Sequence, residues 1–270
     1  MSARGLCIGI NDYPGAKSDL YGCRNDAHDW RDVLMERGLQ VSVLLDADAT
    51  KQRMVHEIES LILATDPGET SVITYSGHGS FIPDADGDEP DDARDEILCP
   101  FDIEDGASIS DDELYGLFRR RMSGANIAFV SDSCHSGSIG RLIEPPVESG
   151  PPQRIRFLPP TVFLDRDQLP KRRGVVRQPS AVQTRSPEAL ILSGCEDWQV
   201  SGDGYFQDRA NGVMTFYALR ALRGLPQDAT YRHWFTEIRK VLPNQRDPQA
   251  PKMESPEGLM DQPVFRPSAG

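Results

Sequence analysis

Short apolar runs alternate along the chain with stretches in which apolar residues recur every three or four positions. GLCIGI (5–10) is a run that stops at the turn residues NDYPG, the pattern of a buried strand. From Asn25 to Arg37, the residues Ala27, Trp30, Val33 and Leu34 share one helical face, and Gly38 is placed to end the helix. QVSVLL (40–45) predicts a second strand. Asp48-Ala-Thr50 caps a helix over 51–64, with Met54, Val55, Ile58, Leu61 and Ile62 at helical spacing. SVITY (71–75), EILCPF (96–101) and NIAFV (126–130) are further strands. Ser110, followed by Asp112 and Glu113, opens a capped helix ahead of the last of them. Beyond residue 187 the pattern resumes, with a strand over 188–194 and helices over 211–224 and 230–242.

Strands alternating with helices predict an α/β fold with a mostly parallel central sheet and helices on both faces. No internal repeat is present. In such sheets ligands bind beyond the carboxyl ends of the strands, so the turns there are the first place to look for chemistry.

Composition narrows the classes. The chain has 270 residues, ample for a sizeable core. No stretch approaches the roughly 20 apolar residues that span a bilayer. The start lacks a basic segment followed by an apolar one, so no secretory signal is expected. Cys7, Cys23, Cys99, Cys134 and Cys195 are an odd number without a CxxC pair. That argues against a disulfide framework and a zinc site, and a cytoplasmic location is expected. The net charge of −13 speaks against a nucleic-acid partner and suits a cationic one. This charge is uneven. Asp84 to Glu113 holds fourteen carboxylates and one base, Arg94, whereas Arg141 to Arg185 holds nine basic residues, four acids and eight prolines. The first block is either a cation site or a solvated loop; the second reads as a mobile basic connection.

Two strands end in polar, glycine-rich turns: VITYSGHGS and IAFVSDSCHSGS. They bring His78 and Cys134 to one edge of the expected sheet. A cysteine becomes a nucleophile when a base or positive charge lies close in space, and glycines beside it leave room for a peptide and for amides facing an oxyanion. Taken singly, a cysteine at a strand end is usually packing and a loop histidine is usually a surface residue; the matched pair is what points to chemistry. His135 is a rival base, although neighbouring residues of an extended segment point apart. A metal site on Cys134, His135 and His78 lacks a fourth soft ligand. A serine hydrolase using Ser133 or Ser136 would need a GxSxG elbow, which is absent.

YSGHG together with DSCHSGS resembles the His/Cys dyad of the caspase-like cysteine peptidases, and of metacaspases in particular. LCIGINDYPG…LYGCRNDAHDW resembles the first strand and helix of type I metacaspases. The acidic stretch from Asp84 to Leu114 and the segments ILSGCEDWQVS and GVMTFYALRALRG resemble later parts of the family, so the likeness runs from about Leu6 to Leu242 apart from the basic connection. With its start so near the first strand, the chain is expected to be a compact bacterial form without a prodomain, sometimes called an orthocaspase. The resemblance implies a caspase-like three-layer sandwich with a large-subunit-like part (1–140), a Pro/Arg-rich linker (141–186) and a small-subunit-like part (187–270). It implies cleavage of proteins or peptides after Arg or Lys, with Cys134 as nucleophile, His78 as acid/base and the amides of Gly79 and Cys134 as oxyanion donors. Asp26 and Asp132 match the acids lining the family's substrate pocket, and Cys23 and Ser76 match further lining positions. A carboxylate pair suits a guanidinium. The residue-level alternatives stay open: a charge at a helix start for Asp26, a turn residue for Asp132.

No cofactor is implied for the chemistry. Calcium, which many metacaspases need, would be held by residues matching Asp95, Asp111 and Asp112. Arg141 stands where a further carboxylate is usual, so calcium binding is left open, and a guanidinium there could mimic the ion. DADGDEPDD resembles the start of an EF-hand loop, but its twelfth position, Asp95, is not Glu. The linker holds KRRG (171–174), so Lys171, Arg172 and Arg173 are candidate self-processing residues, alongside Arg154, Arg156, Arg166, Arg177 and Arg185; a solubilising loop is the plainer reading. The rival function is a catalytically silent caspase-like scaffold or calcium-responsive module. No membrane is expected as a partner, and a monomer is preferred.

Overall fold

The computed structural model describes residues 3–15, 17–83, 94–134, 154–165, 187–196 and 199–266. A six-stranded sheet forms its centre, built from β1 (Arg4–Gly9), β2 (Gln40–Leu45), β3 (Thr70–Ser76), β7 (Asn126–Asp132), β8 (Leu190–Ser193) and β11 (Lys252–Glu254), in the order β11-β8-β7-β3-β1-β2. Five strands run parallel and β11 closes one edge antiparallel to β8. Buried strands of this kind need no polar face, and β3 is buried at every position.

The period-two alternation of side chains divides the core. Leu6, Ile8, Ile73, Tyr75, Ile127 and Phe129 turn to one face, where α2 (Lys51–Leu63) and α3 (Asp111–Phe118) supply Met54, Ile58, Leu61, Leu114 and Phe118. Cys7, Val72, Ala128, Val130, Leu190 and Leu192 turn to the other, covered by α1 (Cys23–Glu36), α4 (Val213–Arg223) and α5 (Tyr231–Val241) with Trp30, Leu34, Met214 and Trp234. This is the three-layer arrangement expected. The caps also fall where expected: Thr50 accepts from the Arg53 amide and Ser110 from the Glu113 amide.

Two small sheets depart from the simple alternation. β4 (Gly79–Pro83), β5 (Arg94–Leu98) and β6 (Ile109–Ser110) form an antiparallel sheet that begins one residue after His78. β9 (Asp203–Phe206) and β10 (Arg209–Gly212) form a hairpin that leads directly into α4. Both lie at the carboxyl ends of the central strands.

Candidate active site

Parallel pairing sets Ser76 of β3 opposite Asp132 of β7, so the turns that follow carry His78 and Cys134 at matching heights. Gly77 makes the first turn possible, because a Cβ there would sit 2.6 Å from the hydroxyls of both Tyr13 and Tyr75. Those hydroxyls grip the turn. The His78 amide donates to Tyr13 Oη at 2.9 Å, and Tyr75 Oη donates to the His78 carbonyl at 2.7 Å. The His78 ring rests edge-on against Tyr13, and its Nε2 lies 2.7 Å from the Ser18 carbonyl. A carbonyl can only accept, so Nε2 carries the proton and Nδ1 is the basic nitrogen. No described residue gives Nδ1 a hydrogen bond of normal geometry. Burial pushes the ring's pKa down to about 4, against smaller upward effects from the Ser18 carbonyl, Asp203 and the nearby Arg156 backbone.

Cys134 is fully buried, packed with Phe157 and Cys195. Its Sγ donates to the Gln199 carbonyl at 3.1 Å. The Cys195 thiol is held well above the ordinary range, first by its hydrogen bond to Cys134 and then by burial.

The main departure from expectation lies in the basic linker. Residues 154–158 are threaded through this site, held by isolated bridges at Ile155 and Phe157 on either side of a bend at Arg156. The Arg156 amide donates to the Ser201 carbonyl at 2.9 Å and the Asp203 amide to the Arg154 carbonyl at 2.7 Å, on either side of an Ile155–Gly202 bridge. The Arg156 carbonyl accepts from two amides, Gly79 at 3.0 Å and Cys134 at 3.2 Å. Beyond it, the Leu158 amide donates to the Gly79 carbonyl at 3.0 Å. Phe157 stacks on Phe81, with 6.0 Å between ring centroids.

The Arg156 side chain is wholly buried among three carboxylates. Nε and Nη2 donate to Asp203 Oδ1 at 3.0 and 2.8 Å, Nη2 also to Asp26 Oδ2 at 2.6 Å, and Nη1 to the Asp132 carbonyl at 2.8 Å. Asp132 Oδ2 stands 3.3 Å from Nη1. Each acid is fixed in turn: Asp26 by Asn211 and the Gly212 amide, Asp132 by Ser201 and the Thr215 amide, Asp203 by the amides of Tyr21 and Gly22. Burial raises the Asp26 carboxyl to about 6, although Arg156 pulls it down. Gly212 forms the pocket wall; a Cβ there would overlap Asp132 Oδ2 and lie 2.6 Å from Arg156 Nη1.

Of the sequence-derived residues, His78, Gly79, Cys134, Asp26 and Asp132 therefore meet around one arginine. Cys23 is buried close enough to influence and be influenced by these charges, and Ser76 is buried as the register partner of Asp132. Asp203, Gly212, Ser201 and the carbonyls of Ser18 and Gln199 were not anticipated, although Ser201 and Gly212 fall in the family-like segments ILSGCEDWQVS and GVMTFYALRALRG. The linker expectation is corrected over 154–158, where the chain is built into the site. Lys171, Arg172, Arg173, Arg141 and His135 lie outside the described residues. Asp95 lies on β5 and Asp111 and Asp112 open α3. Among the described residues no group of three or more His, Cys, Asp or Glu side chains is arranged to hold a metal ion. No helix among the described residues is long and apolar enough to cross a membrane.

A thiol, an imidazole and two amides gathered around a peptide carbonyl, on this sheet, define a caspase-like protein. Its similarities agree. The family described as metacaspase, peptidase C14 domain, matches residues 3–143. Metacaspase-1 of Mycosarcoma maydis is 30% identical over 93% of this chain and 70% of its own length. Metacaspase-1 of Cryptococcus neoformans is 29% identical over 93% of this chain. A crystal structure of a Geobacter sulfurreducens protein superposes over the whole of both chains with a TM-score of 0.74 at 29% identity. The chain belongs to the metacaspase family. It spans 62% of the length of the Cryptococcus relative.

Proposed function

We propose that the protein is a cysteine endopeptidase that cuts after Arg or Lys. The observation that carries this reading is the lodging of Arg156: its guanidinium among three carboxylates and its carbonyl oxygen between the amides of Gly79 and Cys134. A substrate arginine held in the same way would present its carbonyl carbon to the Cys134 thiol, with developing oxyanion charge facing two N–H donors. His78 Nδ1 takes the thiol proton and returns it to the leaving amine, and water then hydrolyses the thioester. The Ser18 carbonyl fixes the tautomer, the role a carboxylate fills in other triads. Lysine would keep the charge but lose the two-pronged contact with Asp203, so arginine is the better substrate.

Turnover of matched Arg, Lys and Asp reporter peptides tests this. Arg above Lys, no cleavage after Asp, and loss of all turnover in Cys134→Ala are the expected results; a preference for Asp would sink the reading. The rival, a silent module, draws on the complete burial of Cys134. It would be favoured if neither the wild type nor a variant with its pocket vacated turned over any peptide.

A further inference from the structure

We infer that the chain cleaves itself between Arg156 and Phe157. This rests on the reading above and assigns its first substrate. Residues 154–158 lie in the site as a peptide would, pairing antiparallel with the 201–203 segment through two main-chain hydrogen bonds, the kind of pairing by which peptides are commonly recognised. The side chain that fills the acidic pocket and the carbonyl between the two amides belong to one residue, so the bond that follows Arg156 is the one aligned with Cys134. The flanks are seated too. Arg154 lies over the Tyr21 ring at 4.8 Å and donates to the Lys17 carbonyl at 2.7 Å and to Tyr21 Oη at 2.8 Å. On the far side Phe157 stacks on Phe81, and Ser80 Oγ donates to the Leu158 carbonyl at 2.6 Å.

In the step itself, Cys134 Sγ bonds to the Arg156 carbonyl carbon and the C–N bond to Phe157 breaks. The thiol proton passes through His78 Nδ1 to the Phe157 nitrogen. Water adds to the thioester, leaving the Arg156 carboxyl and restoring the thiol. Until then the segment blocks other substrates, because it covers the nucleophile and occupies the arginine pocket. The cut therefore also opens the site.

Purified wild type and Cys134→Ala are incubated with calcium or chelator, and products are identified by intact mass and N-terminal sequencing. A new N-terminus reading FLPPTV, absent from Cys134→Ala, is the expected result. Arg156→Lys should be cut more slowly at the same bond, while Arg172→Gln/Arg173→Gln should be cut like wild type. Arg156→Gln should stay uncut there and cleave an Arg reporter peptide without a lag. A wild type that turns over the reporter but ends elsewhere in the linker, or is never cut, overturns the assignment and leaves the peptidase reading standing. If the wild type stays whole and Arg156→Gln, folded by its thermal melt, also ignores the reporter, the peptidase reading fails with it. Should Arg156→Gln not fold, reporter turnover by Arg156→Lys takes its place.

Discussion

Two groups of carboxylates in this molecule could each have served as a cation site, and they are organised in opposite ways. Asp95, Asp111 and Asp112 belong to the densest acidic stretch of the sequence, yet do not converge as a metal-binding set among the described residues. Asp26, Asp132 and Asp203 are separated by most of the chain, carry no local charge signature, and close on one buried guanidinium. Acidic density in sequence is thus no guide to convergence among the described residues. The guanidinium's pocket is built instead from isolated acids at strand ends and helix starts, where burial is compensated by amides and hydroxyls already in place.

That contrast can be broken by experiment. The largest effect is expected from Gly212→Val, which puts a side chain into the guanidinium's place. Turnover of an Arg reporter should fall about 100-fold or more, with folding retained by thermal melt, since small misplacements in such sites cost about that much. Asp203→Asn removes the acid that holds both Nε and Nη2. Losing one partner of a buried charge pair typically costs about 2–5 kcal/mol, so kcat/KM for Arg peptides should drop by roughly 30-fold or more, and much less for a neutral residue in its place. Self-processing should slow as pH falls through about 6, where Asp26 gains a proton and its hold on Nη2 weakens. The sign follows from an acid raised by burial: charged above that pH, neutral below. His78, depressed to about 4, stays unprotonated across the window, so Asp26→Asn should abolish the inflection; its persistence would point to Asp111, also raised to about 6, first by burial and then by Glu96 and Asp112. Smaller still, Tyr21→Ala should cost about two- to fivefold on peptides with a second arginine two residues before the cleaved one, the usual worth of an exposed cation–π contact. Asp112→Asn, in the other acidic group, should change chelator-treated turnover by less than about twofold, as expected of surface charge.

The central sheet and its helices were legible because apolar periodicity reports burial directly: QVSVLL reads as a strand and is one, residue for residue. His78 and Cys134 were legible because both follow strands into glycine turns. Asp203 and Gly212 were not, since they sit on four-residue strands of a hairpin, too short for any periodic signal. β4 was hidden for a related reason, its first residues being read as part of the turn after β3. Arg156 stood out only as one of several basic linker positions open to processing, and its place in the pocket was hidden most deeply. Composition made its proline-rich surroundings look like a tether, and only contacts spanning up to 130 residues turn a basic linker position into the centre of the site. A local pattern can propose a pocket's wall; it cannot announce that the chain supplies the occupant.

The occupant's tether has a kinetic meaning. Cys134 and Arg156 belong to one chain, so under the proposed self-cleavage the segment meets its pocket as an intramolecular partner, whatever the protein's abundance. A first cut made in this way is a unimolecular clock. Diluting the protein would not delay it, raising its concentration would not hasten it, and each molecule would become available to others only after its own private interval had run.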